Sequence, residues 1–199
     1  PKVYVNVEGN QEYSDDEKEN YKNITLRVLD SDNYYTTNTD FITKGEMKGR
    51  GNSTWHGVTK KPYRIKLEEK SSLLGMSNDK NWALLANYYD KTLLRNITAF
   101  EISKIAELSW TPKSLSVDYY MNGTYRGVYT LTEHVRISDE RLDMDIVSPE
   151  DSSGDALTGD YFLELDFHFD EPYKFKTDRN KLPIMFKDPE EPTTNQFDY

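Results

Sequence analysis

Between Lys48 and Leu67 the chain reads KGRGNSTWHGVTKKPYRIKL: two glycines around an arginine, a polar Asn-Ser-Thr run, a further glycine, then two lysines entering an alternating segment. A glycine-rich turn followed by a basic strand can aim backbone N–H groups and a fixed cation at one anion, so the chemistry on offer is anion binding. The same residues also make a tight hairpin turn with charged flanks. The spacing departs from that of a nucleoside-triphosphatase phosphate loop, and Gly49-Arg50-Gly51 lacks the third glycine of a dinucleotide fingerprint. A second set, Glu164, Asp166, His168 and Asp170, falls at every other position. On a strand all four share one face, where they can converge on a hard cation such as Mg²⁺ or Ca²⁺. A solvated face, with Leu163, Leu165, Phe167 and Phe169 turned to the core, explains the same alternation. The remaining acidic runs, Asp30-Ser31-Asp32 and residues 151–155, lack the spacing of a helix–loop–helix calcium site. His56, His134 and His168 follow no metal pattern, and no Gly-x-Ser-x-Gly elbow exists. Asn-x-Ser/Thr sequons begin at Asn23, Asn52, Asn96 and Asn122, and they matter only in a glycosylating pathway.

Several elements must position these groups. Alternation predicts strands over residues 1–7, 24–29 and 41–48. In the basic strand Tyr63, Ile65 and Leu67 share one face and Arg64 and Lys66 the other; an early start would bring Lys61 onto the Tyr63 face. Trp82 to Ala86 is a short buried run. Residues 90–108 carry the best helical pattern, with Asp90 as N-cap and Leu93, Leu94, Ile97, Phe100, Ile105 and Leu108 on one stripe. Glu101 falls inside that stripe, so it lies either at the stripe's edge or against a buried cation. Asn122-Gly123 between two alternating runs is the strongest short hairpin signal known. Residues 30–40 and 149–160 read as loops, 161–169 and 182–186 as strands, and the end of the chain as an exposed linker.

Composition narrows the function classes. Hydrophobic residues are 36% of the 199, but aromatics reach 13% with 15 tyrosines, so the core draws heavily on rings that can keep a hydroxyl wet. A net charge of −10 disfavours general nucleic-acid binding and anionic membrane surfaces. The absence of cysteine excludes disulfides, thiolate metal sites and thiol nucleophiles. No stretch approaches the ~20 apolar residues of a membrane span. A start at Pro1-Lys2-Val3 reads as a module excised from a longer protein.

Taken in order, Arg50-Gly51, the KKPYRIKL strand, Trp82 with LLANYYDKTLLRN, VDYYMNGTYRGVYTLTE and the LELD segment before Lys187-Asp188-Pro189 resemble the spore coat protein H (CotH) kinase family. The resemblance spans residues 49–145 and continues more loosely to 188. It implies a reduced, atypical protein-kinase-like fold, ATP with Mg or Mn as cofactors, phosphoryl transfer to protein serines, and display outside bacterial cells within larger proteins. Kinase chemistry needs a strand lysine on the phosphates, an acid holding that lysine, and metal-binding aspartates. By resemblance Lys61, ahead of Lys60 and Lys66, is that lysine. Arg50 is a second phosphate-side cation and Glu101 the partner of Lys61. Glu133 stands where a hinge meets adenine, with Tyr129 nearby. The family's catalytic and metal-binding aspartates come in a later lobe, and nothing after Asp188 looks like them.

The expected fold class is therefore α+β: a mostly antiparallel twisted sheet with one main packed helix, like the N-lobe of a kinase-like fold. The expected organisation is one module over residues 1–188 and a linker over 189–199 leading towards a C-terminal lobe. The expected function is the nucleotide-side half of a CotH-type kinase, with no catalytic residue of its own. Glu164, Asp166 and Asp170 are the candidate metal ligands, with Ca as a further candidate ion. A protein substrate or scaffold is the expected partner. The alternative is a non-catalytic surface, binding or structural module of the same fold.

Overall fold

Alternating Val, Ile, Leu and Tyr build strands because branched and aromatic side chains pack well on a pleated surface. Here seven such strands close on themselves. The computed structural model describes residues 1–37 and 39–199; the expected connector over 30–40 therefore includes one position, 38, outside the described residues. The chain forms two units, Pro1–Leu142 and Asp143–Tyr199.

In the first unit the elements are β1 (Lys2–Val7), β2 (Lys22–Leu29), β3 (Asp40–Gly49), β4 (Tyr63–Ser71), β5 (Asp79–Leu85), α1 (Arg95–Ile105), β6 (Ser114–Met121) and β7 (Thr124–Glu133). Around the barrel they run β1-β2-β3-β4-β5-β7-β6. Neighbours are antiparallel, except that β1 and β6 pair in parallel from Lys2–Asp118 to Val5–Met121 and shut the barrel. Closure removes both sheet edges and turns alternate side chains into a private core. Val3, Leu26, Ile65, Trp82, Leu84, Tyr119 and Leu131 lie buried there. An aromatic cluster fills one region: Tyr63 packs against Tyr13, Trp55 and Tyr119 at centroid distances of 5.4, 5.9 and 6.0 Å. Burial raises the Tyr63 phenol to about 12.

The Asn122-Gly123 hairpin forms as expected, with φ of 50° and 76°. Asn122 does more than turn the chain. Its N–H donates to Val5 O at 2.9 Å, its Oδ1 accepts from Val7 N–H at 2.9 Å and its Nδ2 donates to Gln11 O at 2.9 Å. The turn between β6 and β7 thus holds the end of β1, the strand that closes the barrel.

The α+β fold class is overturned. The first unit is a closed barrel, and its helix is not packed on a sheet as in a kinase N-lobe. α1 is shorter than the predicted 90–108 because Leu93 sits at φ 60° and breaks the turn before Arg95. It buries no residue. Leu94, Ile105 and Leu108 are 57%, 81% and 61% exposed and Leu93, Ile97 and Phe100 only half-buried, so no residue of the stripe expected to pack inward is buried. The reason is steric: a barrel filled by its own side chains offers no open apolar face for a helix. Asp90 still serves the helix start, accepting from Arg95 N–H at 2.9 Å.

The second unit has a three-stranded sheet ordered β8-β10-β9, from β8 (Phe162–Leu165), β9 (Lys174–Lys176) and β10 (Pro183–Asp188). A short helix, α2 (Thr194–Asp198), follows with a reciprocal Thr193–Gln196 cap. The buried Gln196 also donates to Ser148 O at 2.6 Å and Asp151 O at 3.1 Å. Phe197 of α2 packs on Phe186 of β10 at 5.6 Å.

Two outcomes check this architecture. Gly123→Val meets open space around its Cβ, so its effect is purely conformational: about 1–3 kcal/mol of lost stability in denaturant unfolding. Leu94→Ala and Ile105→Ala, by contrast, should shift the unfolding free energy by less than ~0.5 kcal/mol, as for exposed positions elsewhere.

Candidate functional site

A cavity of about 450 Å³ opens against the outer face of β5 and β7. Its walls come from the turn after β3 (Arg50, Thr54), from β5 (Ala83, Leu85), from the loop Asn87–Asp90, from α1 (Arg95, Asn96, Phe100) and from the end of β7 with the two residues beyond it. The turn after β3 is shaped by its glycines. A Cβ on Gly49 would meet the Trp55 ring at 2.6 Å, and Gly51 adopts φ 84° with a Cβ position that would overlap Thr54 Oγ1. Trp55 is itself buried and donates its Nε1–H to Asp15 O at 2.9 Å, which holds the turn against the segment before β2.

A chain of amides sets the opposite wall. Thr130 Oγ1 on β7 accepts from Asn87 Nδ2–H, and Asn87 Oδ1 accepts from Asn96 Nδ2–H, both at 2.9 Å. The loop so fixed presents Tyr88 and Tyr89, rings edge to face at 5.2 Å and both substantially exposed. Tyr89 also donates its hydroxyl to Ser53 O at 3.1 Å, bridging the loop to the turn after β3.

The end of β7 is set by buried charge. Glu133 is fully engaged: its carboxylate accepts from Ser77 N–H at 2.9 Å and from Lys113 N–H at 3.0 Å. Arg141 is buried beside it, above the Trp82 ring at 5.1 Å. Its Nη1 donates to Asn81 O at 2.7 Å and to His134 O at 2.8 Å, and Asp79 lies 3.7 Å away. Burial alone would raise the Asp79 carboxyl, but the Asn81 amide and Arg141 outweigh it and leave it below its usual value. Burial likewise lowers Arg141, against the pull of Asp79 and Glu133. Such a group is held in place because removing one partner strands the other's charge.

His134 lies among these cations. Its Nδ1 is 2.7 Å from Val135 O, which makes Nδ1 the protonated nitrogen and leaves Nε2 an acceptor. Burial, and then Arg64, Arg50 and Arg141, push it down to about 4. Arg50, on the cavity wall, is lowered by burial and by Arg64.

Of the residues expected at a nucleotide site, the structure brings Arg50 and Glu133 to this cavity. It places the others elsewhere. Lys61 ion-pairs with Asp15, donates to Trp55 O at 3.0 Å and sits over the Trp55 ring. Glu101 pairs with Lys104 at 2.5 Å on the outer face of α1; the expected Lys61–Glu101 pair is not formed, because the helix never packs against β4. Tyr129 is buried in the barrel and donates to Lys61 O at 3.0 Å. Lys60 donates to Val128 O at 2.6 Å. The metal set is not assembled either. β8 ends at Leu165, so Asp166, His168 and Asp170 lie beyond the strand. Glu164 faces Lys187 at 3.6 Å, and Asp166 caps His168 N–H at 3.0 Å. Among the described residues no group of three or more acids and histidines gathers for a metal. Leu163 and Leu165 are not turned into a core as the alternation suggested; both are exposed.

Sequence reasoning passed over Arg64, His134, Arg141 and the Tyr88-Tyr89 pair. Only Tyr88-Tyr89 carried a local signal, two adjacent rings after a buried strand; the other three gain meaning from neighbours far along the chain.

A sequence model of the CotH kinase protein family matches residues 47–196. The chain belongs to the CotH kinase family. A comparison with curated proteins finds no match. The family match begins inside β3 and so covers the glycine turn, the cavity walls and the end of β7. Kinase-like function is thereby supported at the level of the family. No helix of this CotH kinase family chain is long and apolar enough to cross a membrane, among the described residues.

His134 makes the site's electrostatics measurable. Its folded value of about 4 lies below the ordinary 6.5, so the unfolded chain binds the proton more readily. Stability should be full above about pH 6.5 and decline as pH falls towards 4, by about 1–3 kcal/mol. Denaturant titrations between pH 7.5 and 4 should show this slope, and His134→Gln should flatten it.

Proposed function

We propose that the cavity beside β5 and β7 captures a nucleoside triphosphate, as the nucleotide-binding part of a CotH-type kinase. The observation that carries this reading is the composition of the cavity walls: two exposed tyrosine rings, two side-chain amides from Asn87 and Asn96, and two arginines, Arg50 and Arg95. Aromatic rings take the base, amides read its edge, and arginines take the phosphates, since guanidinium matches phosphate geometry. A cavity of about 450 Å³ falls in the size range of small-molecule sites. Family membership supports nucleotide use in general.

The same walls argue against transfer by these residues alone. The two acids present, Asp90 and Glu133, are both engaged. Asp90 accepts from Thr92 and Arg95, and Glu133 accepts from two backbone amides. The residues described therefore do not fit the carboxylate set that holds Mg²⁺ or Mn²⁺ in a phosphoryl-transfer site. Lys61, Glu101 and Tyr129 have no place in the reading as nucleotide ligands, since each is engaged away from this cavity. The second reading, a non-catalytic binding module for a protein or carbohydrate, is favoured by this same lack of a free carboxylate.

Titration with ATP, followed by tyrosine fluorescence and calorimetry, separates the two. Nucleotide capture predicts saturable binding, weakened ~10-fold or more in Arg50→Ala through loss of a charge-assisted contact. In the same chain, labelled ATP and a serine-rich protein should give no transfer. Absence of ATP and adenosine binding would leave the binding-module reading; phosphate transfer abolished by Arg50→Ala would show a complete enzyme.

A further inference from the structure

Behind Arg50 lies a second, smaller pocket of about 230 Å³. Its charged lining is Lys18, Lys48, Arg50 and Arg64 against a single acid, Glu19, with His134 shared with the larger cavity. Glu19 is already engaged by Lys48 at 2.5 Å and Lys18 at 2.9 Å. None of the ion pairs among the described residues involves Arg50 or Arg64. Arg64 has one long contact, Nη2 to Asn81 Oδ1 at 3.4 Å, and its buried Nε has no hydrogen-bond partner among the described residues.

Register sharpens the anomaly. Arg64 on β4 stands directly opposite Lys48 on β3, whereas two residues along the same strands Glu46 stands opposite Lys66. Opposite charges across a strand pair stabilise it and like charges destabilise it. The fold thus places a matched pair at one position and a repelling pair at the next, with Arg50 and a neutral histidine beside the repelling one. A buried guanidinium nitrogen without an acceptor is costly in the free protein and is relieved by an incoming acceptor.

We propose that this pocket is a seat for one tetrahedral oxyanion, a phosphate group, gripped by Arg50 and Arg64 and faced by Lys48 and His134. The proposal rests on the nucleotide reading only in its choice of phosphate source, which is either the tail of a nucleotide in the larger cavity or a phosphoryl group on another molecule. His134 gives the seat a second property. The groups that face it are Arg50 from the turn after β3, Arg64 from β4, Arg141 from the loop after β7, and Glu133 next to it in sequence; Lys18, Lys48 and Glu19 complete the pocket. Burial first, and then these cations, keep its ring neutral. An anion in the seat offsets their field and accepts from Nε2–H, so binding draws a proton onto His134. Anion affinity then rises as pH falls below neutrality.

The test uses the 199-residue chain in low salt with calorimetry and amide NMR. Inorganic phosphate should bind saturably, and Arg64→Gln, which keeps the contact to Asn81 possible and should fold, should weaken it ~10-fold or more. Arg50→Gln should act likewise, and Lys80→Gln, away from the pocket, should not. Sulfate, whose charge is constant across the range, should bind more tightly at pH 5.5 than at 7.5 with proton uptake, and His134→Gln should abolish both effects. If ATP displaces phosphate and adenosine does not, the seat takes the nucleotide tail. If ATP and phosphate bind together, the phosphate belongs to another molecule. Phosphate binding with no detectable ATP or adenosine binding would remove the nucleotide reading and leave the seat standing. Phosphate binding equal in wild type and Arg64→Gln, or none at all in folded protein, would overturn it.

Discussion

The parallel pairing of β1 with β6 is the constraint on which the first unit depends. Without it the seven strands form an open sheet, with two unpaired edges and one apolar face for a helix to cover. With it, the edges vanish and the apolar face becomes an interior. Asn122 enforces the pairing from the hairpin turn by holding β1 at Val5 and Val7. The helix is left outside with none of its side chains fully buried, and it serves instead as one wall of the cavity beside β5 and β7.

That cavity depends on polar groups the barrel cannot avoid burying. Glu133, Asp79 and Arg141 satisfy backbone amides and carbonyls where β5 begins and β7 ends, and in doing so they fix the path of His134 and Val135. Acid prevails on that side: two carboxylates, Glu133 and Asp79, face the Arg141 guanidinium. On the other side of His134 cations prevail, because Arg50 and Arg64 form no ion pair with an acid among the described residues. A protein of net charge −10 has carboxylates in excess, so a local surplus of cations reflects where strand register puts them rather than composition.

The corrections share a cause. Lys61 and Glu101 were matched by role, but an ion pair needs two elements to touch, and closure keeps α1 away from β4. Glu164, Asp166 and Asp170 were joined by a period of two that holds only while a strand lasts, and β8 stops at Leu165. The helical stripe was real as a pattern over residues 93–108, but periodicity reports which residues share a face and not whether anything covers that face.

By itself the sequence determined what is local: the strands, whose alternation persists in the barrel; the Asn122-Gly123 turn, whose backbone demands residues tolerant of positive φ; and the family, whose motifs keep their order along the chain. Tertiary structure alone decided closure, because pairing Lys2–Val5 with Asp118–Met121 joins residues over a hundred positions apart that no short-range pattern links. It also decided which charges meet. Arg64, Arg50 and the pair His134 and Arg141 come from three separate segments, and their mutual field exists only once strand register has set them side by side.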